Sequence, residues 1–199
     1  DTKELFNYVT TYAKQKKKAL LLHGPTGTGK TAAVHALARK LDLELVEINA
    51  SDYRTADEIN AKVGMALKQM SLFSKSKLIL VDELDGIAGN EDRGGVGAIA
   101  ELIADARFPV VLTANDAHEQ KLKSLVSKCM LIEFPALGSP AMLTVFNRIL
   151  DREKLNADEP LLKSLARRSG GDLRGALIDL QILSYEGFAP SSVDTLHER

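Results

Sequence analysis

An α/β domain built on a mostly parallel sheet, followed by a small all-helical domain, is the architecture that this 199-residue sequence predicts. Three observations carry the prediction. Five short apolar or β-branched segments alternate with helical patterns over the first two thirds of the chain. The first of them runs directly into a glycine-rich turn and a helix. After Pro135 helical patterns follow one another with no strand between them.

Taken in order, Leu5, Val9 and Tyr12 recur at helical spacing and predict a helix over residues 2–17, ending in Lys16, Lys17 and Lys18, which read as a solvated face. Strands are predicted over 19–23, 44–48, 78–81, 109–113 and 130–134. Several are apolar throughout rather than alternating, the signature of strands buried on both faces of a parallel sheet. Helices over 30–41, 57–70 and 96–106 fill the gaps. Beyond Pro135 helices are predicted over 139–155, 159–169 and 172–185. Gly170 and Gly171 separate the last two, Asp172 suits an N-cap, and Leu173, Ala176, Leu177, Leu180 and Leu183 form one apolar stripe. The expected organisation is an α/β domain at 1–135, a helical lid domain at 136–187, and a linker or frayed end at 188–199. In such a sheet, ligands bind at the carboxyl ends of the strands.

Composition narrows the classes. Basic and acidic residues number 26 and 27, a net charge of −1, so any nucleic-acid contact has to come from a local patch. Cys129 is the only cysteine, which excludes an intrachain disulfide and suits a reducing compartment. The four histidines, His23, His35, His118 and His197, have no ligand spacing, so no zinc site is expected. No apolar run approaches the ~18 residues of a membrane span and the start is not a signal peptide, so a soluble, cytoplasmic and nucleoid-associated protein is expected.

The segment GPTGTGKT at residues 24–31, directly after an apolar strand, fits every fixed position of G-x-x-x-x-G-K-[ST]. Gly24, Gly27 and Gly29 let the backbone turn its N–H groups inward around phosphate, with Pro25, Thr26 and Thr28 between them. Lys30 brings a cation to the β- and γ-phosphates, Thr31 offers a hydroxyl to Mg²⁺, and the following helix points its positive end at the anion. ATP and Mg²⁺ are the expected ligands.

Strand 78–81 delivers Asp82 and Glu83 at its carboxyl end and reads as a Walker B segment. Asp82 would hold Mg²⁺ through its waters, and Glu83 would orient the attacking water at the γ-phosphate. A kinase must exclude that water, and no acceptor pocket for one is found. Asn115, just past strand 109–113, either senses the γ-phosphate or is an ordinary turn asparagine beside Asp116. Arg174 sits in the first turn of its helix, where the macrodipole disfavours a cation. Either a bound anion such as the γ-phosphate compensates it, or it pairs with Asp179 or solvent.

With Asn49, Ala50, Ser51, Asp52 and Arg54, then GIAGNEDRGG at 86–95 and SGGDLRGALIDLQ at 169–181, these pieces resemble the AAA+ ATPases and, within them, replication factor C subunits. The segment Ser71, Leu72, Phe73, the EDRGG stretch and Thr113, Ala114, Asn115, Asp116 resemble the large subunit of the archaeal type. The resemblance implies a P-loop AAA+ domain followed by a helical lid. It implies an ATPase active mainly in a hetero-pentamer with small subunits, which opens the PCNA sliding clamp and loads it onto primer-template DNA. By the same resemblance Lys30 and Thr31 bind phosphate and Mg²⁺, Asp82 and Glu83 are the Walker B pair, Asn115 is sensor 1 and Arg174 is sensor 2.

The clamp contact of that family would fall on Met70, Leu72 and Phe73, beside Lys75 and Lys77; their alternative role is to cap the domain's own core. Arg93, before the helix at 96–106, and more weakly Arg54 are candidates for sequence-independent DNA phosphate contact. Small subunits carry Ser-Arg-Cys, whose arginine reaches a neighbour's ATP site, whereas this chain has Ser127, Lys128, Cys129. Lysine lacks the planar fork, so this chain is expected to receive an arginine finger rather than donate one. The family's tryptophan-containing N-terminal segment and its C-terminal collar have no counterpart here, so the chain is expected to be the two AAA+ domains of a longer protein. The alternatives are another AAA+ DNA motor or initiator, or a subunit that binds ATP for assembly with little hydrolysis of its own.

Overall fold

The computed structural model describes residues 2–52, 57, 58, 61, 64, 76–86, 94–104, 106–185, 187 and 188. Two compact units emerge. The first comprises residues 1–24 and 30–134, the second Pro25–Gly29 together with the residues from Pro135 onward.

In the first unit, β1 (Ala19–His23), β2 (Glu44–Asn49), β3 (Lys77–Asp82), β4 (Val110–Ala114) and β5 (Cys129–Glu133) form one parallel sheet in the order β2-β3-β4-β1-β5. Each strand lies within a residue of its predicted place. Alternation along the strands sorts two cores. Leu20, Leu22, Leu78, Leu80 and Val111 pack under α1 (Thr2–Thr10) and α2 (Lys30–Lys40), against Leu5, Tyr8, Val34 and Leu37. Ala19, Leu21, Ile79, Val81, Val110 and Leu112 pack on the opposite face against Val96, Ile99 and Ile103 of α3 (Gly95–Ala104) and Leu125 of α4 (Lys123–Lys128). Both layers being full is why β1 and β3 read as unbroken apolar runs.

The first helix is shorter than predicted. Thr10 Oγ1 donates to the Phe6 carbonyl (2.8 Å) and Thr11 Oγ1 to that of Asn7 (2.5 Å), so the side chains bind carbonyls of the last turn. A separate 3₁₀ turn, Tyr12–Lys14, follows. The helix predicted over 57–70 lies mostly outside the described residues.

In the second unit, α5 (Ser139–Glu153), α6 (Glu159–Arg168) and α7 (Leu173–Tyr185) close a separate core around Phe146, Met142, Leu165, Ala176 and Leu183. Pro stands in the first turn of both α5 and α6, where its missing N–H costs nothing. Asp172 caps α7, its Oδ1 accepting from the Gly175 N–H at 2.9 Å.

Candidate nucleotide site

Register alone brings the polar residues of the first unit together. The β1–β4 ladder sets His23, before Gly24, opposite Ala114, before Asn115. The β2–β3 ladder sets Asn49 opposite Asp82, and the β3–β4 ladder ends at Val81–Leu112, so that Asp82 and Thr113 are the next residues on adjacent strands. All sit at the carboxyl edge of the sheet, where α/β folds bind ligands.

Lys30 opens α2 and is 9% exposed; its ammonium donates to the Gly24 carbonyl at 2.6 Å and to Asn115 Oδ1 at 3.1 Å. Asn115 is itself fixed by its backbone, whose N–H donates to Asp85 Oδ2 at 2.7 Å and whose carbonyl accepts from the Gly24 N–H at 3.2 Å. Thr31 Oγ1 lies 3.0 Å from both Asp82 oxygens and donates to that carboxylate. A second hydroxyl, of the buried Thr113, also donates to Asp82 and accepts from the Glu83 N–H at 3.0 Å. Glu83 stands at φ 58°, a left-handed conformation uncommon for a non-glycine residue and concentrated at functional sites. Its carboxylate lies 3.5 Å from Asn49 Nδ2, and Asn49 Oδ1 accepts from the Ser51 N–H (3.0 Å) and hydroxyl (2.8 Å), which settles which way the amide faces.

Space as well as conformation restricts two of the glycines. Gly24 has φ 141°, and a Cβ there would stand 2.0 Å from the Phe134 carbonyl oxygen at the end of β5. Gly27, in the second unit, has φ 71°, and a Cβ there would stand 1.7 Å from Asp172 Oδ1, the carboxylate that caps α7. Thr28 Oγ1 closes the turn onto the Pro25 carbonyl at 3.0 Å.

Chemically, the edge offers a buried ammonium and the N-terminal end of α2 for an anion, and hard oxygens on Thr31 and Asp82, which suit Mg²⁺. Glu83 adds a second carboxylate, beside Asn49. Of the residues expected at the site, Gly24, Lys30, Thr31, Asp82, Glu83 and Asn115 lie at this edge of the first unit. Pro25, Thr26, Gly27, Thr28 and Gly29 group with the second unit, and Arg174 is exposed in the first turn of α7 there. Met70, Leu72, Phe73, Arg54 and Arg93 lie outside the described residues. Lys128 donates to the Ala100 carbonyl of its own chain at 2.9 Å.

Three further residues join the site only in the folded structure. Thr113 was readable as a polar end to an apolar strand, and Asn49 as part of a quoted segment. Asp85, which with Leu84 strengthens the sequence reading of the strand end, has its partner Asn115 set only by the fold.

The "ATPase family associated with various cellular activities (AAA)" matches residues 20–135. The chain is similar to proteins named replication factor C large subunit: 46% identical to that of Nanoarchaeum equitans over 92% of this chain and 43% of the relative, and 42% identical to that of Staphylothermus marinus over 98% and 47%. That of Thermofilum pendens is 42% identical over 92% and 45%. The chain thus spans a little under half the length of these relatives. Among the described residues no helix is long and apolar enough to cross a membrane.

Proposed function

Because the chain belongs to the AAA family of ATPases, we propose that it is the ATPase portion of a clamp-loader large subunit, which opens the PCNA sliding clamp and places it on primer-template DNA in a hetero-pentamer with small subunits. The observation that carries the catalytic half is the paired anchoring of Asp82 and Glu83 by one hydroxyl, Thr113, beside Lys30 and Thr31. The clamp-loading half rests on the likeness to replication factor C large subunits over nearly the whole chain.

In this reading the P-loop, Gly24 to Thr31, cradles the phosphates. Lys30 leaves Gly24 and Asn115 to neutralise the β- and γ-phosphates, and Asn115 then faces the terminal phosphate. Thr31 and Asp82 would hold Mg²⁺, which when bound spreads the charge developing on the phosphate oxygens. Glu83 orients a water in line with the γ-phosphate and accepts its proton, while Asn49 fixes where that carboxylate rests. Arg174 is proposed to read the γ-phosphate, the anion that its place at a helix N-terminus calls for. Lys128, committed to Ala100, fits a chain that receives an arginine finger without donating one.

The test is ATP hydrolysis by the protein assembled with its small subunits, with and without clamp and primed DNA. A joint rise with both, blunted by Phe73→Ala, is expected. A rate indifferent to the clamp would leave a different AAA+ motor, and absent hydrolysis with tight ATP binding would leave an assembly subunit.

A further inference from the structure

We propose, on the roles given above to Glu83 and Asn115, that Asp85 is a positioning residue. Its carboxylate ties the turn that follows Glu83 to the main chain of Asn115, so that the water-orienting and phosphate-sensing groups are set as one unit.

The β3–β4 ladder ends at Val81–Leu112, and an N–H beyond it has no strand to pair with. Asn115 directly follows β4, and its N–H donates to Asp85 Oδ2 at 2.7 Å, a charge-assisted bond. Asp85 lies in the 3₁₀ turn Leu84–Gly86, directly after Glu83 and closed by the Gly86 N–H on the Glu83 carbonyl at 2.9 Å. Leu84 roots that turn in the core, wholly buried. The turn is also held on its β2 side. A Cβ on Gly86 would stand 2.5 Å from that of Ser51, and Ser51 binds the Oδ1 of the same Asn49 whose Nδ2 lies 3.5 Å from the Glu83 carboxylate. A shift of Asn115 is therefore carried through Asp85 to the turn beside Glu83.

Asn115 is engaged at every polar group but one. Its N–H meets Asp85, its carbonyl accepts from the Gly24 N–H at 3.2 Å, and its Oδ1 accepts from Lys30 at 3.1 Å. An ammonium only donates, so Lys30 fixes which amide atom faces it. Among the described residues that leaves Nδ2 without a partner, a donor of the kind that a phosphate oxygen accepts from. Asp85 Oδ1 is buried with no hydrogen-bond partner among the described residues. Deleting the carboxylate thus removes its bond to Asn115 and no other among them.

The experiment measures single-turnover hydrolysis, Mg-ATP binding and thermal melting on the protein assembled with its small subunits. The variants are Asp85→Ala, Asp85→Asn, Asn115→Ala and the double variant Asp85→Ala/Asn115→Ala. Asp85→Ala is expected to hydrolyse ~10- to 100-fold more slowly, with Kd within about threefold of wild type. Asp85→Asn keeps an acceptor for the Asn115 N–H and should recover most of that loss. Because Asp85 acts through Asn115, the double variant should be no slower than Asn115→Ala, whereas a side chain that merely supports the fold would add its own loss. Where alanine at 85 melts before assembly, Asp85→Leu, close in shape and without the acceptor, takes its place. Normal turnover by Asp85→Ala, no recovery by Asp85→Asn, or losses that add in the double variant overturns the proposal while the roles of Glu83 and Asn115 stand. Normal turnover by Asn115→Ala overturns the role of Asn115 and the proposal together.

Discussion

Thr113 donates its hydroxyl hydrogen to Asp82 across the gap between β4 and β3, one residue beyond the last paired position of those strands. The same oxygen accepts the Glu83 N–H, so one buried side chain holds the Asp82 carboxylate and the Glu83 main chain. Thr113→Val keeps the shape and removes the hydroxyl, leaving two polar groups short of a partner at about 1–3 kcal/mol. kcat is expected to fall ~10- to 100-fold with ATP affinity within about threefold. Steady-state hydrolysis beside a binding titration checks this, and an unchanged kcat would reduce Thr113 to packing.

Gly27 is held by conformation and by space at once. Alanine there meets both the positive φ and the Asp172 carboxylate. Gly27→Ala should weaken ATP binding by more than ~10-fold and lower Tm by several degrees. Asp172→Ala alone costs about 1 kcal/mol through the lost cap of α7. In the double variant the two Tm losses should be less than additive, since removing the carboxylate relieves the clash. Strict additivity in thermal melts would show that the clash does not matter.

Strand positions and local motifs are legible in the sequence, whereas contacts across strands are not. β1 and β3 are legible because a strand covered on both faces must be apolar throughout, and the proposal of Lys30, Thr31, Asp82 and Glu83 as site residues rests on local spacing alone. Thr113, Asn49 and Asp85 act across strands, and their partners depend on strand order and register, which no local pattern encodes. The end of α1 is not legible from periodicity, because Thr10 and Thr11 bind carbonyls of their own helix.

Alkaline pH should unfold the first unit early. Burial pushes the Cys129 thiol up to about 12, with Lys17 and Lys128 pulling weakly the other way, and burial pushes the Tyr12 hydroxyl up to about 12. Both groups give up a proton more readily in the unfolded chain, so their protonated forms support the fold fully below the ordinary thiol and phenol range. That support drains away as pH rises through it, from about 8.5 to 10 and on toward 12. Denaturant midpoints should be flat near neutrality and fall above about pH 9, and Cys129→Ala should flatten part of the slope. A midpoint that rises with pH in that range would contradict the burial of both groups.

The most direct test of the site as an ATP-hydrolysing centre sets Glu83→Gln against Lys30→Ala in the assembled complex, with Mg-ATP binding and single-turnover hydrolysis measured on each. Glu83→Gln should bind with Kd within about threefold of wild type and hydrolyse at least ~100-fold more slowly, while Lys30→Ala loses binding itself. Near-normal turnover by Glu83→Gln would contradict the role given to that carboxylate.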